Sequence, residues 1–111
     1  MLKFDIKLRV MSAGGELMSS FGPGTAALLR GVREYSSLNK AAKSMRMAYS
    51  KAWKSINQTE EQFGFALIDR RQSHGSELTE KGRQMLQLYE EMTAAAQKAA
   101  EQVYSESGSG L

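Results

Sequence analysis

The sequence predicts a mainly α-helical domain with a small amount of β-structure. Three patterns carry that prediction: short apolar stripes of helical period between residues 26 and 63, period-two or turn-bounded segments on either side of them, and one long apolar seam from residue 80 to about 104. The chain has 111 residues, which suits one domain, with 41% hydrophobic and 24% charged residues, an ordinary globular composition.

At the N-terminus Phe4, Ile6, Leu8 and Val10 alternate with Lys3, Asp5, Lys7 and Arg9. That alternation predicts a strand over Lys3 to Met11 with one buried face. Ala13-Gly14-Gly15 is a turn signal, and Glu16 to Ser19 is expected to return as the partner strand of a β-hairpin. Gly22-Pro23-Gly24-Thr25 breaks that sheet, with Thr25 as an N-cap or Pro23 as an early helical position. Leu28, Leu29, Val32 and Tyr35 then form the stripe of a helix over Ala26 to Tyr35.

Ser37 is the expected cap of a second helix, Leu38 to about Met45, which buries Leu38, Ala41, Ala42 and Met45. Its two alanines allow close approach to a neighbouring helix. Arg46-Met47-Ala48 is a short turn. A third helix is expected from about Tyr49 to Phe63, with Ala52, Ile56, Thr59 or Glu60, and Phe63 inward, ended by Gly64. Leu67 to Arg71 and Glu77 to Thr79 are strand candidates around a loop containing Gly75, so they predict a second small hairpin. Thr79 is the expected cap of a final helix to about Tyr104, whose seam is Met85, Leu86, Tyr89, Met92, Ala96 and Val103. At 1.5 Å per residue it is about 35–40 Å long, more than one small domain covers, so this seam is the expected homodimer interface. The expected division is residues 1–78, a winged helix-turn-helix; 79–104, a dimerisation helix; and 105–111, a Ser- and Gly-rich flexible tail.

Charge is unevenly placed. The chain carries +3 overall, yet Arg30 to Lys54 holds seven basic residues against Glu34 alone, and Gln84 to Leu111 holds Lys98 against four glutamates. A basic middle implies a polyanion partner. The absence of cysteine removes disulfides and thiolate metal sites. The absence of an apolar run near 20 residues or a signal-type N-terminus leads to an expected cytoplasmic location with no membrane partner. Catalysis has no case. Glu60-Glu61 and Glu90-Glu91 are helix neighbours about 100° apart, and Gly22-Pro23-Gly24 lacks the Gly-Lys-Ser/Thr of a phosphate loop. No cofactor, metal or small-molecule ligand is expected, and His74 has no thiol or second histidine nearby.

Two short helices, a tight turn and a hairpin from Ser37 to Thr79 form the winged helix-turn-helix constellation. In such a unit the second helix enters the major groove by its N-terminal residues. Here those are Ala48, Tyr49, Ser50, Lys51 and Lys54, with Lys40 and Arg46 nearby and Arg70, Arg71 and His74 on the wing as the expected contacts to double-stranded DNA. Trp53 is expected to pack inside the domain rather than stack on DNA.

Leu38-Asn39-Lys40-Ala41-Ala42-Lys43-Ser44-Met45, the Phe63-Gly64…Leu67-Ile68-Asp69-Arg70-Arg71 run and Leu78-Thr79-Glu80-Lys81-Gly82 resemble the DNA-binding domain of bacterial LysR-type regulators. Met47 to Asn57, with a tyrosine, a lysine and the Ala52-Trp53 pair, is more closely similar to the recognition helix of molybdate-responsive, ModE-type regulators, as is the Phe21-Gly22-Pro23-Gly24 approach. The resemblance implies sequence-specific DNA binding and transcriptional regulation by a homodimer. It departs at Thr59, where relatives carry a larger apolar residue. It also departs after the long helix, where full-length relatives continue into a molybdate-binding domain, so oxyanion sensing is not implied. The alternative reading is a winged-helix interaction module that heterodimerises with a full-length regulator.

Overall fold

A computed structural model describes residues 2–70 and 75–111. After an extended N-terminal segment comes a single 3-10 turn at Leu17–Ser19. The helices follow as α1 (Pro23–Tyr35), α2 (Leu38–Ser44) and α3 (Tyr49–Phe63), then strands β1 (Ile68–Asp69) and β2 (Glu77–Leu78), then α4 (Glu80–Ser107). The two strands pair antiparallel, Ile68 opposite Leu78 and Asp69 opposite Glu77. Helix starts and stops are where the local chemistry puts them. Pro23 opens α1, where its missing N–H costs no helical bond. Ser37 Oγ accepts from the Lys40 N–H at 3.1 Å to start α2, and Gly64 ends α3 at φ 79°. α4 runs three residues beyond the expected end at Tyr104, to Ser107. Among the described residues no helix is long and apolar enough to cross a membrane.

The core gathers Leu28, Leu29 and Val32 of α1, Leu38 and Ala41 of α2, Ile56 of α3, Leu67 and Ile68 at the wing, and Leu86 of α4. Two glycines set how closely its layers approach. A Cβ on Gly31 would stand 2.4 Å from the Ala41 Cβ, so α1 and α2 touch backbone to backbone. A Cβ on Gly82 would stand 2.1 Å from the Leu67 carbonyl oxygen. That contact presses the first turn of α4 onto the strand β1 enters from. Thr79 reinforces it by accepting from the Gly82 N–H at 2.9 Å and donating to the Ala66 carbonyl at 2.6 Å.

The expected N-terminal hairpin is reduced to one antiparallel bridge, Val10 with Phe21. Leu17–Ser19, expected as strand, closes into the 3-10 turn instead. The alternation itself is correct: Phe4, Ile6, Leu8 and Val10 are half-buried while Lys3, Asp5, Lys7 and Arg9 are exposed. The apolar face, however, lies on a helix rather than in a sheet. The segment runs antiparallel along α4. Tyr89 Oη donates to the Leu8 carbonyl at 2.8 Å, Gln97 Nε2 donates to the Phe4 carbonyl at 3.0 Å, and Phe4 meets Tyr104 edge-to-face at 5.3 Å. Side chains of α4 thus satisfy backbone carbonyls that a partner strand would have satisfied.

This packing also divides the expected dimer seam. Met85, Leu86 and Tyr89 are buried within the chain's own core, Tyr89 against Phe21 at 5.2 Å, and none is available to a second copy. Met92 and Ala96 are half-buried, and Val103 is 69% exposed. A continuous stripe records burial without saying which chain supplies the cover.

Candidate nucleic-acid interface

α2 and α3 are joined by a tight turn in which the Met47 N–H donates to the Ala42 carbonyl at 2.9 Å and the Arg46 N–H to the Lys43 carbonyl at 3.0 Å. The turn is sharp enough to hold Arg46 at φ 54°, a left-handed conformation uncommon in residues other than glycine. The start of α3 differs from its neighbours. α2 begins on a serine cap, and α4 on a threonine cap with Glu80 in its first turn. α3 has Ala48 at its N-cap and, like α1, neither a side-chain cap nor an acid in its first turn, but it alone of these two carries a lysine there, Lys51. A cation at a helix N-terminus opposes the helix dipole, so this arrangement costs stability in the isolated chain and favours an incoming anion.

Ala48, Tyr49, Ser50, Lys51 and Lys54 are all exposed on this helix, Tyr49 set edge-on against Trp53 at 6.2 Å. Lys40 and Lys43 of α2 and Arg46 of the turn are exposed as well. Among the described residues none of these five basic side chains, Lys40, Lys43, Arg46, Lys51 or Lys54, has an ion pair. The two other basic residues of the middle segment face elsewhere. Arg30 Nε and Arg33 Nη1 donate to Glu90 of α4 at 2.8 and 3.1 Å, and Arg33 foremost, then Arg30, holds the Glu90 carboxyl below its ordinary range.

Arg70, expected among the DNA contacts, also bonds within the chain. Its guanidinium pairs with Glu60 at 2.6 Å, bonds Asn57 and lies 4.4 Å from the centre of the Trp53 ring. The other Glu60 oxygen accepts from the Leu67 and Ile68 N–H groups at 2.6 and 3.2 Å. Glu60 therefore joins the wing to α3, and Trp53 packs under Arg70 as part of that joint. Arg71 and His74, also assigned to the wing, lie outside the described residues.

Sequence reasoning did not anticipate what holds the opposite side of α3. The loop over residues 12–20 is fastened there by two polar side chains. Gln62 accepts from the Ser12 N–H at 2.9 Å and donates to the Glu16 carbonyl at 2.9 Å. Thr59, whose small polar side chain departs from the resembled pattern, is buried and donates to the Ser20 carbonyl at 3.3 Å. The departure at Thr59 was itself the readable signal: a buried hydroxyl needs a partner.

Helix, tight turn, helix and antiparallel strand pair, with the second helix exposed along its outer face, define a winged helix-turn-helix. The chain belongs to the bacterial regulatory helix-turn-helix proteins of the lysR family, whose model matches residues 26–83. Among solved structures it is similar to the crystal structure of a LysR family transcriptional regulator, with a TM-score of 0.58 and 23% identity over 76% of this chain, a likeness of fold. The chain spans 28% of the length of that protein. No curated protein matches it.

Proposed function

We infer that the chain binds double-stranded DNA as a homodimeric transcriptional regulator, with α3 in the major groove. The observation that carries this reading is the start of α3. It is an uncapped, acid-free helix N-terminus bearing Lys51, beside four further cations that have no ion pair among the described residues, in a family of regulatory helix-turn-helix proteins. Lys40, Lys43, Arg46, Lys51 and Lys54 neutralise phosphates and release counterions. Ala48, Tyr49 and Ser50 reach base edges from the helix start. Arg70, which also ties the wing to α3, contacts the duplex, as do Arg71 and His74. Within the family, the Tyr49–Lys51–Ala52–Trp53 spacing favours the molybdate-responsive, ModE-type branch.

Residues 1–78 form the DNA-binding unit and 79–104 the dimerisation helix in this reading, with 105–111 as a tail and the cytoplasm as the site of action. Met92, Ala96 and Val103 on distal α4 are the faces left for a second copy. Pairing there sets two recognition helices about 34 Å apart, one turn of DNA.

Fluorescence anisotropy tests the reading. A labelled duplex from upstream of the chain's own gene is compared with a scrambled duplex at two salt concentrations. Tight, salt-sensitive binding that prefers the native duplex is expected, and Lys51→Ala and Lys54→Ala should each lower the salt slope by about one. Equal, weak binding to both duplexes would overturn it and favour the heterodimerising interaction module.

A further inference from the structure

α3 has two flanks. The wing grips it through Trp53, Asn57 and Glu60, and the 12–20 loop grips it through Thr59 and Gln62. Trp53 and Gln62 are nine residues apart, about 180° around a helix of 3.6 residues per turn, so the two supports lie on opposite sides of the outward face. The loop carries an unusual load. Met18 is 88% exposed and Leu17 56%, on a 3-10 turn whose backbone is fixed to α3. Met18 lines an open groove of about 630 Å³ with Ser50, Lys51, Lys54, Ser55 and Gln58. All of these but Met18 are polar donors or cations of α3, and neither lysine has an ion pair among the described residues. Met18 thus sets an apolar side chain on the same groove as two lysines, so the groove offers apolar and cationic surface side by side. The loop also lies outside residues 26–83 that the family model matches.

We propose that the 12–20 loop is a second DNA-contacting flank of the recognition helix, with Met18 packed against the deoxyribose wall of the groove that α3 enters. The occupant is a nucleic-acid duplex because the groove is continuous with the basic face of α3, where Lys51 and Lys54 meet phosphate while Met18 covers the apolar sugar between phosphates. Thioether side chains suit such a surface, being flexible and polarisable. Past Gln58 the groove turns acidic at Glu16 and Glu61, and there the duplex leaves the protein. This inference rests on the DNA-binding reading and adds to it a contact that carries no counterion.

The test separates the two. Anisotropy titrations on the scrambled duplex at low salt compare the wild type, Met18→Ala, Met18→Glu and Lys54→Ala, with thermal unfolding as a control for folding. Met18→Ala is expected to bind about fivefold more weakly with an unchanged salt slope, because an apolar contact releases no ions. Met18→Glu should bind roughly tenfold or more weakly, whereas Lys54→Ala should lower the slope. If Lys54→Ala weakens binding and Met18→Ala matches the wild type, the second flank is overturned and the DNA reading stands, whatever Met18→Glu does, since its loss alone would be long-range charge repulsion. If the wild type binds no duplex at low salt, both are overturned.

Discussion

The two halves of α4 share one helix and one apolar seam, yet they do different work. From Gly82 to Tyr89 the helix is core: it is pressed against the Leu67 carbonyl, buries Met85 and Leu86, and sets Tyr89 against Phe21. From Glu91 onward no residue is fully buried, and the cover comes from the half-buried N-terminal segment through Phe4, which meets Gln97 and Tyr104. The comparison teaches that periodicity locates a face, and only the surrounding chain decides whether that face is interior or surface.

Substitutions along α4 sharpen this contrast. Leu86→Ala should destabilise the fold by about 3 kcal/mol in chemical denaturation, as a cavity at a fully enclosed leucine does. Val103→Glu, on the same seam, should leave unfolding unchanged and, on the proposed pairing through distal α4, shift sedimentation toward monomer. A matching loss of stability in both variants would break the distinction between the halves. Gly82→Ala comes next, at about 2 kcal/mol, because the clash with the Leu67 carbonyl outweighs the helix-propensity gain of about 1 kcal/mol. Tyr89→Phe keeps the ring and removes the bond to the Leu8 carbonyl. It should cost about 1 kcal/mol and raise amide exchange over residues 4–10 ahead of the rest of the chain.

The smallest effect is at the boundary between the halves. Glu90 titrates below its ordinary 4.5 because Arg33 and Arg30 favour its charged form. Its contribution is therefore present above pH 4.5 and fades as the pH falls through its lowered value in the folded chain. All three side chains are at least a third exposed, so solvent screening holds the effect near 0.5 kcal/mol. Glu90→Gln should trail the wild type in thermal stability at pH 7, with the gap closing at acid pH.

What was legible in the sequence follows the same physics. The caps at Ser37 and Thr79, the stop at Gly64 and the stripes of α1 to α3 are local signals, and each lies where its residue type requires. The wing was readable from the strands around Gly75. The N-terminal segment was readable only as one-sided, because alternation is blind to whether a strand or a helix covers the apolar face. The partners of Arg70 within the chain were hidden for a related reason. Its sequence neighbours suggest an exposed basic wing, and only the fold brings Glu60 and Asn57 of α3 under it. Pairings across many residues, such as Gln62 with Ser12, leave no periodic trace at all.

The path of the N-terminal segment along α4 has a consequence for how the molecule comes to be made. Leu2 meets Tyr104 across 102 residues of chain, and Phe4 and Leu8 bond to Gln97 and Tyr89. Residues 2–8 thus dock on a helix that is synthesised only after α1 to α3. Contacts this far apart in sequence close late and slowly. The winged domain can assemble around α1 to α3 during synthesis, while the segment before it, with Phe4, Ile6 and Leu8 still uncovered, waits for α4 to emerge before it finds its place.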